Sequence, residues 1–122
     1  MKQFKKRQAK ERLVVKEKTI ENSILSWLAM NGVYAFKHES QGTYDTKLGT
    51  YRRKFSIHRK LGVADIIGIY KGKPLAIEVK SAIGRLNDNQ KKFLQEWADE
   101  GGISIVARSV EDVIECLARV AA

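Results

Sequence analysis

Three residues carry the types and spacing for chemistry: Asp65, Glu78 and Lys80. They fall in the stretch Gly62 to Lys80, GVADIIGIYKGKPLAIEVK, which holds two short apolar runs joined by the turn-like Lys71-Gly72-Lys73-Pro74. Asp65 heads the first run and Glu78 lies near the end of the second, where an ordinary buried strand has no carboxylate. If the second run is a strand, Glu78 and Lys80 project from one face, roughly 7 Å apart, and Ile77 and Val79 from the other. A hairpin returning through the turn brings Asp65 beside Glu78. Hard divalent cations take oxygen ligands and commonly use one or two protein carboxylates, keeping several waters. Asp65 and Glu78 supply that number, and the backbone carbonyl of Val79 lies beside them. Such an ion polarises a phosphoryl oxygen and lowers the pKa of a bound water. An ammonium at Lys80 can orient that water or stabilise charge building on the phosphate. The simpler account is a salt bridge of Lys80 with Glu78 or Asp65, but buried ion pairs are costly to desolvate.

The elements that must hold these residues are legible from periodicity. Ile20, Ile24, Trp27 and Leu28 form a helical stripe over Thr19 to Asn31, with Thr19 as cap and Asn31-Gly32 as stop. Val33 to His38 alternates like an edge strand. Ala64 to Tyr70 and Leu75 to Val79 read as central strands covered on both faces. Asn87 to Glu100 is a second helix burying Phe93, Leu94 and Trp97, stopped by Gly101-Gly102. Ile103 to Ala107 is a further buried strand, parallel to Leu75–Val79 through the intervening helix. Ser109 caps a last helix with the stripe Val110, Val113, Ile114 and Leu117. The expected fold class is α/β, a mixed central sheet flanked by helices in the order αβββαβα.

Two further polar residues stand on these helices. Glu21 is at the edge of the first helix's buried face, and from spacing alone a first-turn acid favoured by the helix dipole is the better account of it. Gln90 faces the core side of the second helix near the end of the Glu78 strand, and Asn87 with Gln90 also forms a capping-box pattern.

Charge narrows the class of partner. The 122-residue chain carries a formal net charge of +9, which favours a polyanion. Between Lys47 and Lys60 the charged residues are Lys47, Arg52, Arg53, Lys54, Arg59 and Lys60, with no acid among them. Immediately upstream of the carboxylate hairpin, this run suits phosphate contacts, although many charge runs are only solvated surface. Residues 1–18 hold eight Lys and Arg against Glu11 and Glu17, and are expected to be a basic arm or an extension of the first helix, with one domain over 19–122. A lone cysteine, Cys116, excludes an internal disulfide. No Cys/His cluster has zinc spacing. No apolar run approaches the ~20 residues of a membrane span, and the basic N-terminus lacks a signal-peptide core. A cytoplasmic protein is expected.

Taken together, the segment resembles the PD-(D/E)xK nuclease superfamily, and within it the virus-type replication-repair nuclease (VRR-NUC) family. The matching residues are Gly62-Val63-Ala64-Asp65, Leu75-Ala76-Ile77-Glu78-Val79-Lys80, Leu86, Gln90 and Gly101, with Glu21 as the N-terminal acid. Ala64 stands where the family commonly has proline, which shapes the strand entry and carries no chemistry. The resemblance implies a restriction-endonuclease-like core, Asp65, Glu78 and Val79 as ligands of Mg²⁺ or Mn²⁺, and Lys80 as the catalytic lysine. Glu21 and Gln90 become supporting active-site residues. It further implies a metal-dependent endonuclease of branched DNA such as four-way junctions or flaps. The chain is similar to small standalone, phage-type members acting as homodimers, which would place it in the host-cell cytoplasm. A non-catalytic DNA-binding module working with a replication or repair protein is the alternative.

Overall fold

A computed structural model describes residues 14–39, 43–45, 47, 49–52 and 57–122, with the backbone alone for 43–45 and 50–52. The elements are α1 (Glu17–Met30), β1 (Tyr34–Lys37), β2 (Thr43–Asp45), β3 (Thr50–Arg52), β4 (Ile66–Tyr70), β5 (Lys73–Val79), α2 (Asp88–Asp99), β6 (Ile103–Ala107) and α3 (Val110–Ala121). A four-stranded sheet has the order β1-β4-β5-β6, and β2 and β3 form a separate two-stranded ribbon whose second strand lies in the basic run. β1, β4 and β5 are antiparallel neighbours, whereas β5 and β6 are parallel. The sheet is therefore mixed, as the sequence predicts.

Its two faces are covered unequally. Ile66, Leu75, Ile77, Val79, Ile103, Ile105 and Ala107 pack with Ile20, Ile24 and Leu28 of α1 and Val113 and Leu117 of α3. On the opposite face, among the described residues, α2 is the covering helix, and its Phe93 and Leu94 sit on Ala64 and Ala76. β5 lies under helices on both sides and is buried from Leu75 through Val79. β4 is not, because α2 does not reach it fully: Ile69 is exposed and Ile67 only half-buried, contrary to the expected two-sided burial. Ile114 is likewise exposed, since α3 turns Val110, Val113, Cys116, Leu117 and Val120 inward.

Element ends also depart from the sequence reading. α1 starts at Glu17 behind Lys16, which makes no side-chain cap, so Thr19 lies inside the helix rather than capping it. Lys18 and Glu17 thus belong to α1, while residues 1–13 of the expected arm lie outside the described residues. The β4–β5 turn is shorter than expected. Lys71 and Gly72 both have positive φ, 48° and 79°, which closes a two-residue hairpin whose twist matches the strands. Lys73 and Pro74 are consequently in β5, opposite Tyr70 and Ile69.

One glycine fixes the approach of the site-bearing chain to α2. Gly62 has φ 71°, and a Cβ there would lie 2.3 Å from the backbone carbon and oxygen of Asn89. The chain can pass the start of α2 this closely only without a side chain. Gly62→Ala should therefore destabilise the fold by about 3 kcal/mol, from left-handed strain plus the clash. Thermal or urea unfolding measures this; an unchanged midpoint would show that the segment relaxes freely.

Candidate active site

The β4–β5 register decides which side chains meet. Ile66 pairs with Ile77, so Asp65, one residue before β4, comes level with Glu78. The Asp65 carboxylate accepts a hydrogen bond from the Val79 amide at 2.8 Å (Oδ2). The Asp65 carbonyl accepts from the His38 amide at 2.7 Å, which ties the end of β1 to the same point. Glu78 is 3% exposed. Its Oε1 receives Gln90 Nε2 at 3.1 Å and lies 3.6 Å from Lys80 Nζ. The backbone amide of Lys80 extends the parallel ladder to the Ala107 carbonyl, so the lysine leaves a fixed strand end.

Gln90 serves two purposes through the two ends of its amide. Its Oε1 accepts from the Asn87 amide and Asn87 Oδ1 accepts from the Gln90 amide, completing the capping box. Its Nε2 is left to hold Glu78. The expected capping box is present, and the same helix initiation aims the free end of the amide at the Glu78 carboxylate.

Glu21 enters from the other side. It is buried on α1, with its carboxylate 3.6 Å from Lys37 Nζ. It shares with Asp65 a cleft of about 360 Å³, lined also by Glu17, Lys18, Lys37 and Val79. Sequence reasoning missed three of these residues. Lys37 had a signal: it has the same parity as Ala35, which packs against the core, so it is a lysine at an inward-facing position where β1 ends. Glu17 stands four residues before Glu21, on the same helix face.

Among the described members of the basic run, Lys47 is exposed and Arg59 half-buried. Lys60 is ion-paired with Glu96 of α2, so it also anchors the chain entering the Gly62 segment. Arg52 closes β3, and the side chains of Arg52, Arg53 and Lys54 lie outside the described residues.

Electrostatics single out Glu78. Its carboxyl is pushed up from the ordinary 4.5 to about 8, first by burial and then by the adjacent Asp65 charge, with Lys80 pulling in the opposite direction. Two carboxyls forced together in a half-enclosed place form a donor set that a cation satisfies. Among the described residues no three His, Cys, Asp or Glu side chains converge as a metal-holding group. A metal here would rest on two carboxylates, the Val79 carbonyl and water, which fits a hard ion rather than zinc.

A carboxyl whose folded pKa is raised contributes stability that is complete below about 4.5 and is lost as the pH climbs toward about 8. In EDTA the folding free energy should therefore fall over that window by an amount on the order of a few kcal/mol, and the melting temperature with it. Glu78→Gln should flatten the curve, and Mg²⁺ should raise the wild-type melting temperature far more at the alkaline end. Parallel curves for wild type and Glu78→Gln would remove the carboxyl pair as the cause.

A family profile described as VRR-NUC domain matches residues 8–111, most of the chain and all the residues around Asp65, Glu78 and Lys80. Comparison with curated proteins and with solved structures gave no match.

Proposed function

Since the chain belongs to the VRR-NUC family, a family of nucleases with a restriction-endonuclease-like α/β core, we propose that it is a divalent-metal-dependent DNA endonuclease selective for branched DNA. The observation that carries this reading is the Asp65–Glu78 carboxyl pair with Lys80 at 3.6 Å from Glu78. Asp65, Glu78 and the Val79 carbonyl would hold Mg²⁺ or Mn²⁺. When bound, that ion supplies Lewis-acid activation of the phosphate and of water.

The chain's own residues then divide the remaining work. Lys80, 11% exposed at its side chain, is placed to donate to a phosphate oxygen or to the attacking water. In so enclosed a place a donor acts with little screening. Gln90 holds the Glu78 carboxylate in one orientation. Glu21, paired with Lys37, bounds the cleft next to Asp65, and Lys37 and Lys18 offer positive charge to the phosphate that enters it. Lys47, Arg52, Arg53, Lys54 and Arg59 are proposed to hold neighbouring phosphates, and Lys60 to do so when it exchanges Glu96 for DNA. The net charge of +9 supports backbone recognition of this kind. A homodimer would set two such sites on one junction, each cutting one strand.

Cleavage of a panel of labelled four-way, flap and linear DNAs at matched ionic strength tests the reading. Branched DNAs should be cut in Mg²⁺ or Mn²⁺ and not in EDTA, with linear duplex cut poorly. Asp65→Asn and Glu78→Gln should each lower the rate on the order of 10³-fold, and Lys80→Ala by about 10² to 10³. Full metal-dependent activity in Glu78→Gln would sink the site; equal cutting of all DNAs would sink the selectivity.

Affinity should also fall steeply with salt, with a log–log slope of about −0.9 per phosphate contacted. Neutralising Arg52, Arg53 and Lys54 together should reduce that slope by about two to three while leaving the chemical step in place. An unaltered slope would take the run out of the DNA interface.

A further inference from the structure

The segment that follows Lys80 is built to a stiffness its length does not require. Ser81 to Gly84 form a turn in which the Gly84 amide donates to the Ser81 carbonyl at 3.2 Å and to Ser81 Oγ at 3.1 Å. Arg108, one residue past β6, reaches across with Nη1 and donates to the carbonyls at both ends of the turn, Ser81 and, at 2.7 Å, Gly84. From the other side, Glu17 Oε1 of α1 accepts from the Ser81 amide at 3.4 Å. Two of these contacts use a guanidinium and one a carboxylate, and charge-assisted bonds are stronger than neutral ones. The base of the turn abuts the lysine: a Cβ at Gly84 would sit 3.4 Å from Lys80 Cδ.

What this clamped turn presents is apolar. Ile83 at its tip is 74% exposed, between Ala82 and the exposed Arg85. Neither hydrophobic cluster includes it. An isoleucine held in water on a braced mount beside the proposed phosphate-cutting site has a fitting ligand in the faces of nucleic-acid bases. Apolar side chains are known to open base steps by inserting between them.

We propose that Ile83 is a wedge that enters the base stack of the bound DNA next to the phosphate being cut. This rests on the reading of Asp65, Glu78 and Lys80 as the cutting site. Ile83 is the third residue after Lys80, so their Cα atoms are at most about 10 Å apart. Successive nucleotides of one strand rise about 3.4 Å, so the wedge acts within about three nucleotides of the scissile phosphate. Fixing the turn in advance avoids the ordering cost that a loose loop would incur on binding. Opening a step is least costly where stacking is already interrupted, as at a branch point. The wedge thus supplies a physical basis for selecting branched over continuous duplex DNA, and Arg108 is its positioning residue.

The test places 2-aminopurine, which brightens when unstacked, at successive positions flanking the cut in a four-way junction. Binding by Glu78→Gln protein, which holds the junction uncut, should brighten one position within three nucleotides of the cut. Adding Ile83→Ala should abolish the signal, and Ile83→Leu should retain it. In otherwise wild-type protein, Ile83→Ala should lower kcat/KM on the junction by about tenfold or more. A mismatch at the brightened step should recover most of that loss. No brightening in the Glu78→Gln protein, or equal brightening and equal rates with and without Ile83, overturns the wedge. So does an Ile83→Ala defect accompanied by loss of oligomeric state, since the residue is then a protein contact. If wild type cuts no DNA with any divalent ion, the proposed function fails, while the same fluorescence read with 2-aminopurine at each position around the branch point still decides the wedge.

Discussion

The hydrogen bond from the Val79 amide to the Asp65 carboxylate is the contact on which the rest of the arrangement depends. It fixes an acid at the entrance of β4 against the strand that carries Glu78 and Lys80. Everything around it keeps that relation. The Lys71–Gly72 hairpin sets the register, the His38 amide holds the Asp65 carbonyl, and Gly62 lets the chain pass α2 closely enough to arrive there. Shift β4 by one residue and Asp65 faces the other side of the sheet, since strand parity alternates.

The geometry places stability and chemistry in opposition. Burying Glu78 beside Asp65 raises its pKa and costs folding free energy at neutral pH. Lys80 and Gln90 offset part of that cost by binding one carboxylate oxygen. The apolar core supplies the remainder: Ile24, Leu28, Ile66, Leu75, Ile77, Val79, Val113 and Leu117 are fully buried, each contributing about 1.5 to 3 kcal/mol. Two helices on one face carry most of this, which leaves the other face to a single helix whose first turn is committed to the site. Strained or costly polar groups persist where a surrounding structure over-determines them, and β5, buried along its whole inner length, is that surrounding structure here.

Much of this was legible in the residues. Order, strand parity and the convergence of Asp65 with Glu78 followed from alternation and a turn signal, because register in a half-buried hairpin leaves little choice. Helical spacing puts Gln90 on the core side of α2 but cannot separate a capping amide from one that reaches Glu78; only the family resemblance points to the second. Helix boundaries were less legible. Lys16 precedes α1 without a capping side chain, so the first turn, with Glu17 and Lys18, left no cap signal and read as part of a basic arm. The partial cover of β4 was not legible either, because an apolar run has the same composition whether one or two helices lie over it. Arg108 and the Ser81–Gly84 turn meet only through the parallel β5–β6 pairing, a relation between segments far apart in sequence.

The central claim is that Asp65 and Glu78 together bind one divalent cation. Electron paramagnetic resonance of Mn²⁺ titrated into the wild-type protein, Asp65→Asn and Glu78→Gln measures it directly and without DNA. The account predicts one saturable site in the wild type, displaced by Mg²⁺ and lost in both variants. Undiminished Mn²⁺ binding in either variant would contradict it.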